Sequence, residues 1–191
     1  MKIVLASHSP RRQELLKGLG VDFSVNVING IDESYPATMP KEEVAEHLAV
    51  KKHDAYTVGE DELLITADTI VVVDDEILGK PKDAADARRM LRTISGRIHK
   101  VVTGVCLATA TECRSFSVAT EVTFRQLRDS EIDYYVERYK PFDKAGAYGI
   151  QEWIGYVGVE GICGSYYNVM GFPVQRVYEE MTRHFGLKIA E

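Results

Sequence analysis

From Leu63 to Val73 the chain is apolar and rich in β-branched residues, broken in the middle by Asp68 and Thr69. Such a run reads as a buried strand, with Asp74-Asp75 offering a turn into Ile77-Leu78. Burial raises the cost of carrying an unpaired carboxylate, so Asp68 needs a metal, a cation or an edge. The plainer alternative is a strand-end aspartate that caps a turn.

The rest of the sequence supplies partners for that strand. Ile3 to Ala6 is a second buried run, followed by Ser9 and Pro10, an N-cap and first-position proline for a helix that Gly20 would end. Val21, Phe23, Val25 and Val27 alternate with period two and predict a half-buried strand. From about Pro40, Val44, Ala45, Leu48, Ala49 and Ala55 share a helical face. A helix is expected from Asp83 to Ile94, and a hairpin from Lys100 to Thr111 and Arg114 to Phe124. Further helices follow from the spacing of Ile132, Tyr135, Val136 and Tyr139, and of Val174, Val177, Tyr178, Met181 and Phe185. Between these last two lies a glycine-rich stretch from Gly146 to Gly171. Helices and strands interleave through hairpins and crossovers, which predicts a mixed α/β fold with a mixed sheet. With no repeat or linker to divide it, residues 1–191 are expected to form a single catalytic domain.

Several segments could carry chemistry. Ser7-His8-Ser9-Pro10-Arg11-Arg12 puts backbone donors, hydroxyls and two guanidinium groups where a strand hands over to a helix N-terminus, an arrangement suited to phosphate. Arginines in a first turn oppose the helix dipole, which suggests a reason beyond a solvated helix start. Lys52 projects near the middle of the Ala45-Leu48-Ala49 stripe while Lys51 lies at its margin. An inward lysine pairs with an anion or snorkels past the core. Glu33, in the loop after the second strand, could join Asp68 in oxygen ligation of a divalent cation, or be solvated. Lys80, fixed between Gly79 and Pro81, is a turn lysine or an ammonium held toward phosphate.

Other chemistries are disfavoured. The five histidines lack HExxH spacing, and no GxSxG elbow, Walker A loop or GxGxxG fingerprint occurs. Cys106, Cys113 and Cys163 are odd in number and lack metal-ligand spacing, so neither a disulfide framework nor a zinc site is expected. A reducing cytoplasm fits that cysteine usage. The N-terminal apolar run is too short for a signal-peptide core or a membrane span. A net charge of -6 argues against a grip on long nucleic acid and leaves room for a small anion held locally.

Together the blocks resemble the Maf family of nucleotide pyrophosphatases, first linked to septum formation. The resemblance rests on Leu5-Ala6-Ser7-His8-Ser9-Pro10-Arg11-Arg12, Asp32-Glu33, Leu48-Ala49-x-x-Lys52, Ala67-Asp68-Thr69, Gly79-Lys80-Pro81 and Ser95-Gly96-x-x-His99. It continues through Lys144-Ala145-Gly146-Ala147-Tyr148-Gly149-Ile150-Gln151 and Gly164-Ser165-Tyr166-Tyr167-Asn168. His8 replaces a small or polar residue common there, and Thr66 stands at a position that tolerates several residues.

The resemblance implies an elongated α/β fold with two lobes around a central cleft, a homodimer in many members, and a divalent metal, Mg2+ or Mn2+. It implies Asp68 as proton acceptor, with the role of metal ligand also open to it. Arg12, Thr69 and Gln151 match the positions that separate a dTTP- and UTP-preferring subgroup from a 7-methyl-GTP subgroup, and all three are of the first type. Ser7, Arg11, Lys52 and Lys80 are assigned to phosphate, and Glu33 with Asp68 to metal. The expected substrate is a nucleoside triphosphate cut to monophosphate and pyrophosphate. The alternatives are the 7-methyl-GTP-type sibling and a nucleotide-binding regulator of cell division.

Overall fold

The apolar run forms the longest buried strand of a seven-stranded mixed sheet. In a computed structural model that describes residues 1–189, the strands are β1 (Lys2–Leu5), β2 (Phe23–Val25), β3 (Glu62–Val73), β4 (Glu76–Leu78), β5 (Ile98–Ala108), β6 (Cys113–Phe124) and β7 (Val159–Cys163). Their order is β2-β1-β3-β5-β6-β7, with β4 pairing β3 off this path. β1 runs parallel to both β2 and β3, as strands separated by helices do, whereas β3–β4 and β6–β7 are antiparallel. The helices are α1 (Pro10–Lys17), α2 (Lys41–His53), α3 (Ala84–Ile94), α4 (Asp129–Tyr139), α5 (Trp153–Gly158), α6 (Tyr166–Val169) and α7 (Val174–Arg183). None is long and apolar enough to cross a membrane among the described residues.

The chain forms two compact units. One comprises Met1–Asp68, Thr103–Val118 and the chain from Gly171 onward; the other comprises Thr69–Val102 and Ala119–Met170. Each has its own core. In the first, Ile3, Leu5, Leu63 and Ile65 pack with Leu16, Val105, Leu107, Phe172 and Met181. In the second, Val71, Val73, Leu91, Ile94, Phe124, Ile132 and Tyr135 do so. Burying each large apolar side chain contributes about 1.5–3 kcal/mol, so β3 is anchored at both ends. Asp68 closes one unit and Thr69 opens the other.

Several boundaries differ from the sequence reading. α1 ends at Lys17 with Gly18 as its cap, and Gly20 instead supplies the left-handed turn (φ 76°) into β2. The alternating run from Val21 yields only the short edge strand Phe23–Val25, with Ser24 and Val25 exposed. Ala55 lies beyond α2 and is exposed, because the helix stops at His53. Phe185 follows α7 but still packs in the first core. The glycine-rich stretch holds α5, β7 and α6, elements too short to show periodicity.

All three cysteines are free thiols, and two of them meet in space. A turn closed by Thr109 N–H donating to Glu112 O (2.8 Å) folds β6 back after β5. This brings Cys106 Sγ and Cys113 Sγ to 3.1 Å, with His53 beside them. Linear spacing did not reveal that grouping.

Candidate active site

α2 and β3 are locked in register by a buried hydrogen bond, Thr66 Oγ1 donating to Ala49 O at 2.6 Å. Strand residues two apart share a face, and helix residues three apart share a face. Asp68 and Lys52 are those next positions, and Lys52 Nζ sits 2.5 Å from Asp68 Oδ1. Both side chains are mostly enclosed, at 17% and 15% exposure. Ala49, on the same face of α2 as Lys52, is fully buried, whereas Ala67 packs into the first unit's core on the opposite face of β3.

Glu33 completes the group from the opposite loop. Its Oε1 lies 2.9 Å from the same Lys52 Nζ. The loop is held by the neighbouring lysine: Lys51 Nζ donates to Asp32 Oδ2 (2.7 Å), Ser34 O (2.9 Å) and Ser34 Oγ (3.1 Å). Lys51 and Ser34, together with Asp32's own acceptance from Ser34 N–H, hold the Asp32 carboxyl well below its ordinary range. Two consecutive acids thus meet two consecutive lysines, Asp32 with Lys51 and Glu33 with Lys52. Sequence reasoning missed Lys51 and Thr66 as positioning residues; the paired order of acids and lysines was the signal for the first.

The strand-to-helix corner joins from β1. Ser9 caps α1 by accepting from Arg12 N–H (3.4 Å), and Ser7 Oγ accepts from Ser9 N–H (3.2 Å) and from Arg12 Nη1 (3.4 Å). The Arg12 guanidinium also donates to Ala67 O (3.0 Å) and Gly171 O (2.9 Å). It therefore ties α1 to the middle of β3 and to the start of the segment leading to α7. Burial lowers its pKa while the nearby Asp68 charge raises it. Arg11, beside it, is half-buried.

The first unit therefore brings Ser7, Arg12, Glu33, Lys52 and Asp68 together at the middle of β3. Two carboxylates converge on one cation position, and the donors are all hard oxygens, which fits Mg2+ or Mn2+. Within the second unit Thr69 follows on β3, half-buried, and Lys80 is exposed on a turn whose Gly79 O accepts from Gly146 N–H at 3.0 Å. Gly146 itself packs tightly on β3, since a Cβ there would come within 2.8 Å of Val71. Gln151 follows in the same loop, braced where Lys144 Nζ meets Glu152 (3.1 Å), Tyr135 OH bonds Glu152, and Gly149 N–H donates to Tyr135 OH (3.0 Å). Gln151 Oε1 is buried without a partner among the described residues. A buried amide oxygen in that state awaits a donor.

A family model described as "Maf-like protein" matches residues 2–184. The chain belongs to the Maf family. Among Maf relatives it is 58% identical to a dTTP/UTP pyrophosphatase of Phocaeicola vulgatus over 95% of each chain. It is 55% identical to one of Parabacteroides distasonis over 96% of each, and 54% identical to one of Porphyromonas gingivalis over 97% of this chain and 94% of that one. A solved nucleoside-triphosphatase / dITP/XTP pyrophosphatase from Mycobacterium abscessus is a remote likeness, with TM-score 0.43 and 15% identity over 97% of each chain.

Proposed function

We propose that this chain is a metal-dependent nucleoside triphosphate pyrophosphatase that hydrolyses dTTP and UTP to the monophosphate and pyrophosphate. The observation that carries the reading is the convergence of Asp68 and Glu33 on one cation position at Lys52. Support for the substrate class comes from the relatives at more than half identity, which are dTTP/UTP pyrophosphatases.

On this reading Asp68 and Glu33 would hold Mg2+ or Mn2+, which when bound neutralises phosphate charge and polarises the phosphorus–oxygen bond. Asp68 takes a proton from the attacking water or lends its charge to the cation site. Lys52 shields the two carboxylates from one another and presents its ammonium to the phosphate oxygens. Ser7, Arg11 and the α1 N-terminus hold further phosphate oxygens, as does Lys80. These groups act where negative charge accumulates on the departing pyrophosphate.

Gln151 reads the base. Its lone Oε1 suits the N3–H that uracil and thymine share, and its Nε2 suits a flanking carbonyl. Arg12 acts on specificity through the corner it holds together, and Thr69 through its place beside Asp68. Residues 1–191 work as a single catalytic domain, cytoplasmic, as a homodimer.

The test is pyrophosphate release over a panel of triphosphates, with turnover in oxygen-18 water. dTTP and UTP should lead the panel, with label in the monophosphate because water attacks the α-phosphorus. Label in inorganic phosphate, with a nucleoside diphosphate as first product, would make the protein a triphosphatase instead.

A further inference from the structure

Away from the carboxylates, the first unit carries a second group of donors of a different kind. One ring nitrogen of His53, Cys106 Sγ and Cys113 Sγ all lie within 4.8 Å of one another. His53 is the last residue of α2, Cys106 is a fully buried residue of β5, and Cys113 is the exposed first residue of β6. The two sulfurs are 3.1 Å apart. We propose that His53, Cys106 and Cys113 form a binding site for a soft or borderline metal cation, of which Zn2+ is the type.

Four features support it. The donor set is two sulfurs and an imidazole, which selects zinc-class ions over the hard cations that suit Asp68 and Glu33. The spacing is near what such an ion needs: with metal–sulfur bonds of about 2.3 Å, a tetrahedral ion holds two sulfurs about 3.8 Å apart, a small side-chain rotation from the separation here. Asp54 Oδ1 lies 3.0 Å from His53 Nδ1, the carboxylate–imidazole pairing that orients histidine ligands at metal sites. Ala49, Ala108 and Val50 pack around Cys106 and give the site an apolar inner wall, while exposed Cys113 leaves an entry path and a fourth position for water. On binding, each thiol forms a metal–sulfur bond and releases its proton to solvent, so no oxidant or reductant is involved.

Such an ion would pin the C-terminal end of α2 to the β5–β6 turn, one residue beyond Lys52. Its effect is structural and does not depend on the identity of the substrate.

The test uses the whole protein, reduced and freed of metal. Titration with Co2+, a spectroscopic stand-in for Zn2+, should give sulfur-to-cobalt charge-transfer absorption saturating at one ion per chain. Asp68→Asn should leave that band unchanged, which separates it from the oxygen site. Cys113→Ser, at an exposed position, should abolish the band, and His53→Ala should weaken Zn2+ binding at least about tenfold. Zn2+ should raise the melting temperature of the parent and leave that of Cys113→Ser unmoved. A folded Cys113→Ser that keeps the band, or a reduced parent that develops none, would overturn the site. So would thiol counting that finds Cys106 and Cys113 already joined as a disulfide, whose reduction brings no affinity for Co2+.

Discussion

Asp68 is held by an ammonium on a mostly enclosed strand, and this sets how its variants behave. Asp68→Asn keeps an oxygen that accepts from Lys52, so the loss of stability should be about 1 kcal/mol, well short of the 3–5 kcal/mol typical of stranding a buried charge. Turnover should nevertheless fall by orders of magnitude; melting curves and pyrophosphate release measured together separate the two effects. An active Asp68→Asn would remove this residue from the chemistry. Thr66→Val removes the hydrogen bond that sets the register between α2 and β3. It should cost about 1 kcal/mol and lower kcat, since Lys52 and Asp68 lose their common reference while neither is altered. A variant with parental kcat would show that the register is held elsewhere. The sequence made Asp68 legible because a carboxylate in an apolar run demands an explanation. Thr66 was not legible, because a threonine in a strand is unremarkable until its hydroxyl is seen facing a helix carbonyl.

A second residue, in the other unit, predicts a pH effect. His99 is buried, with Nε2 2.7 Å from Tyr148 OH and Nδ1 lacking a partner among the described residues. Burial pushes its pKa down to about 4 from the ordinary 6.5. Above the higher value neither folded nor unfolded chain binds the proton, and between the two only the unfolded chain does. Stability is therefore full above pH 6.5 and falls as pH drops toward 4, by up to about 3 kcal/mol. Glu131, whose pKa is pulled down to about 2 by Arg125 and Arg128, loses its contribution only at lower pH, below the ordinary glutamate value of 4.5. Melting temperatures of the parent should thus fall through the histidine window, while those of His99→Gln stay flatter there. Equal slopes would assign the effect to another group.

At the scale of elements, the position of α2 decides the site, and Gly104 of β5 decides the position of α2. A Cβ at Gly104 would lie 2.2 Å from the backbone C and O of Ala45 and from Glu46 N. No side-chain rotation relieves a clash with helix backbone, so Gly104→Ala must push α2 off the sheet. The expected loss is at the upper end of overpacking, about 3 kcal/mol, with turnover reduced because Lys52 moves with the helix. A parental melting temperature in this variant would mean that α2 shifts freely. The long elements were legible: the apolar run of β3, the stripe of α2, and α3, whose expected first residue Asp83 is its N-cap, all carry enough periods to show. α5, β7 and α6 were not, because four to six residues hold barely one helical turn or two strand repeats. Their boundaries are set by packing: a Cβ on Gly158 would come within 2.6 Å of the Phe124 ring, and one on Gly164 within 2.9 Å of Thr120.

For the whole molecule the governing quantity is charge. The chain carries a net charge of -6 and its proposed substrate is a polyanion, so long-range attraction does not bring them together. Local cations must do so, and of these Lys52 already faces two carboxylates. One ammonium and the nearby Arg12 guanidinium only balance the two carboxylates, leaving no excess positive charge for a triphosphate, which gains a favourable site there when a divalent ion adds its charge. Chelation with EDTA should therefore abolish pyrophosphate release, and excess Mg2+ or Mn2+ should restore it. Zn2+ should not restore it preferentially, because the carboxylates are hard donors and the soft donors lie apart, at His53, Cys106 and Cys113. Initial rates in chelated protein, with each ion added back in turn, check this. Full activity without any divalent ion would mean that Lys52 and the arginines carry the phosphate charge alone, and Asp68 would then be left with proton transfer as its role.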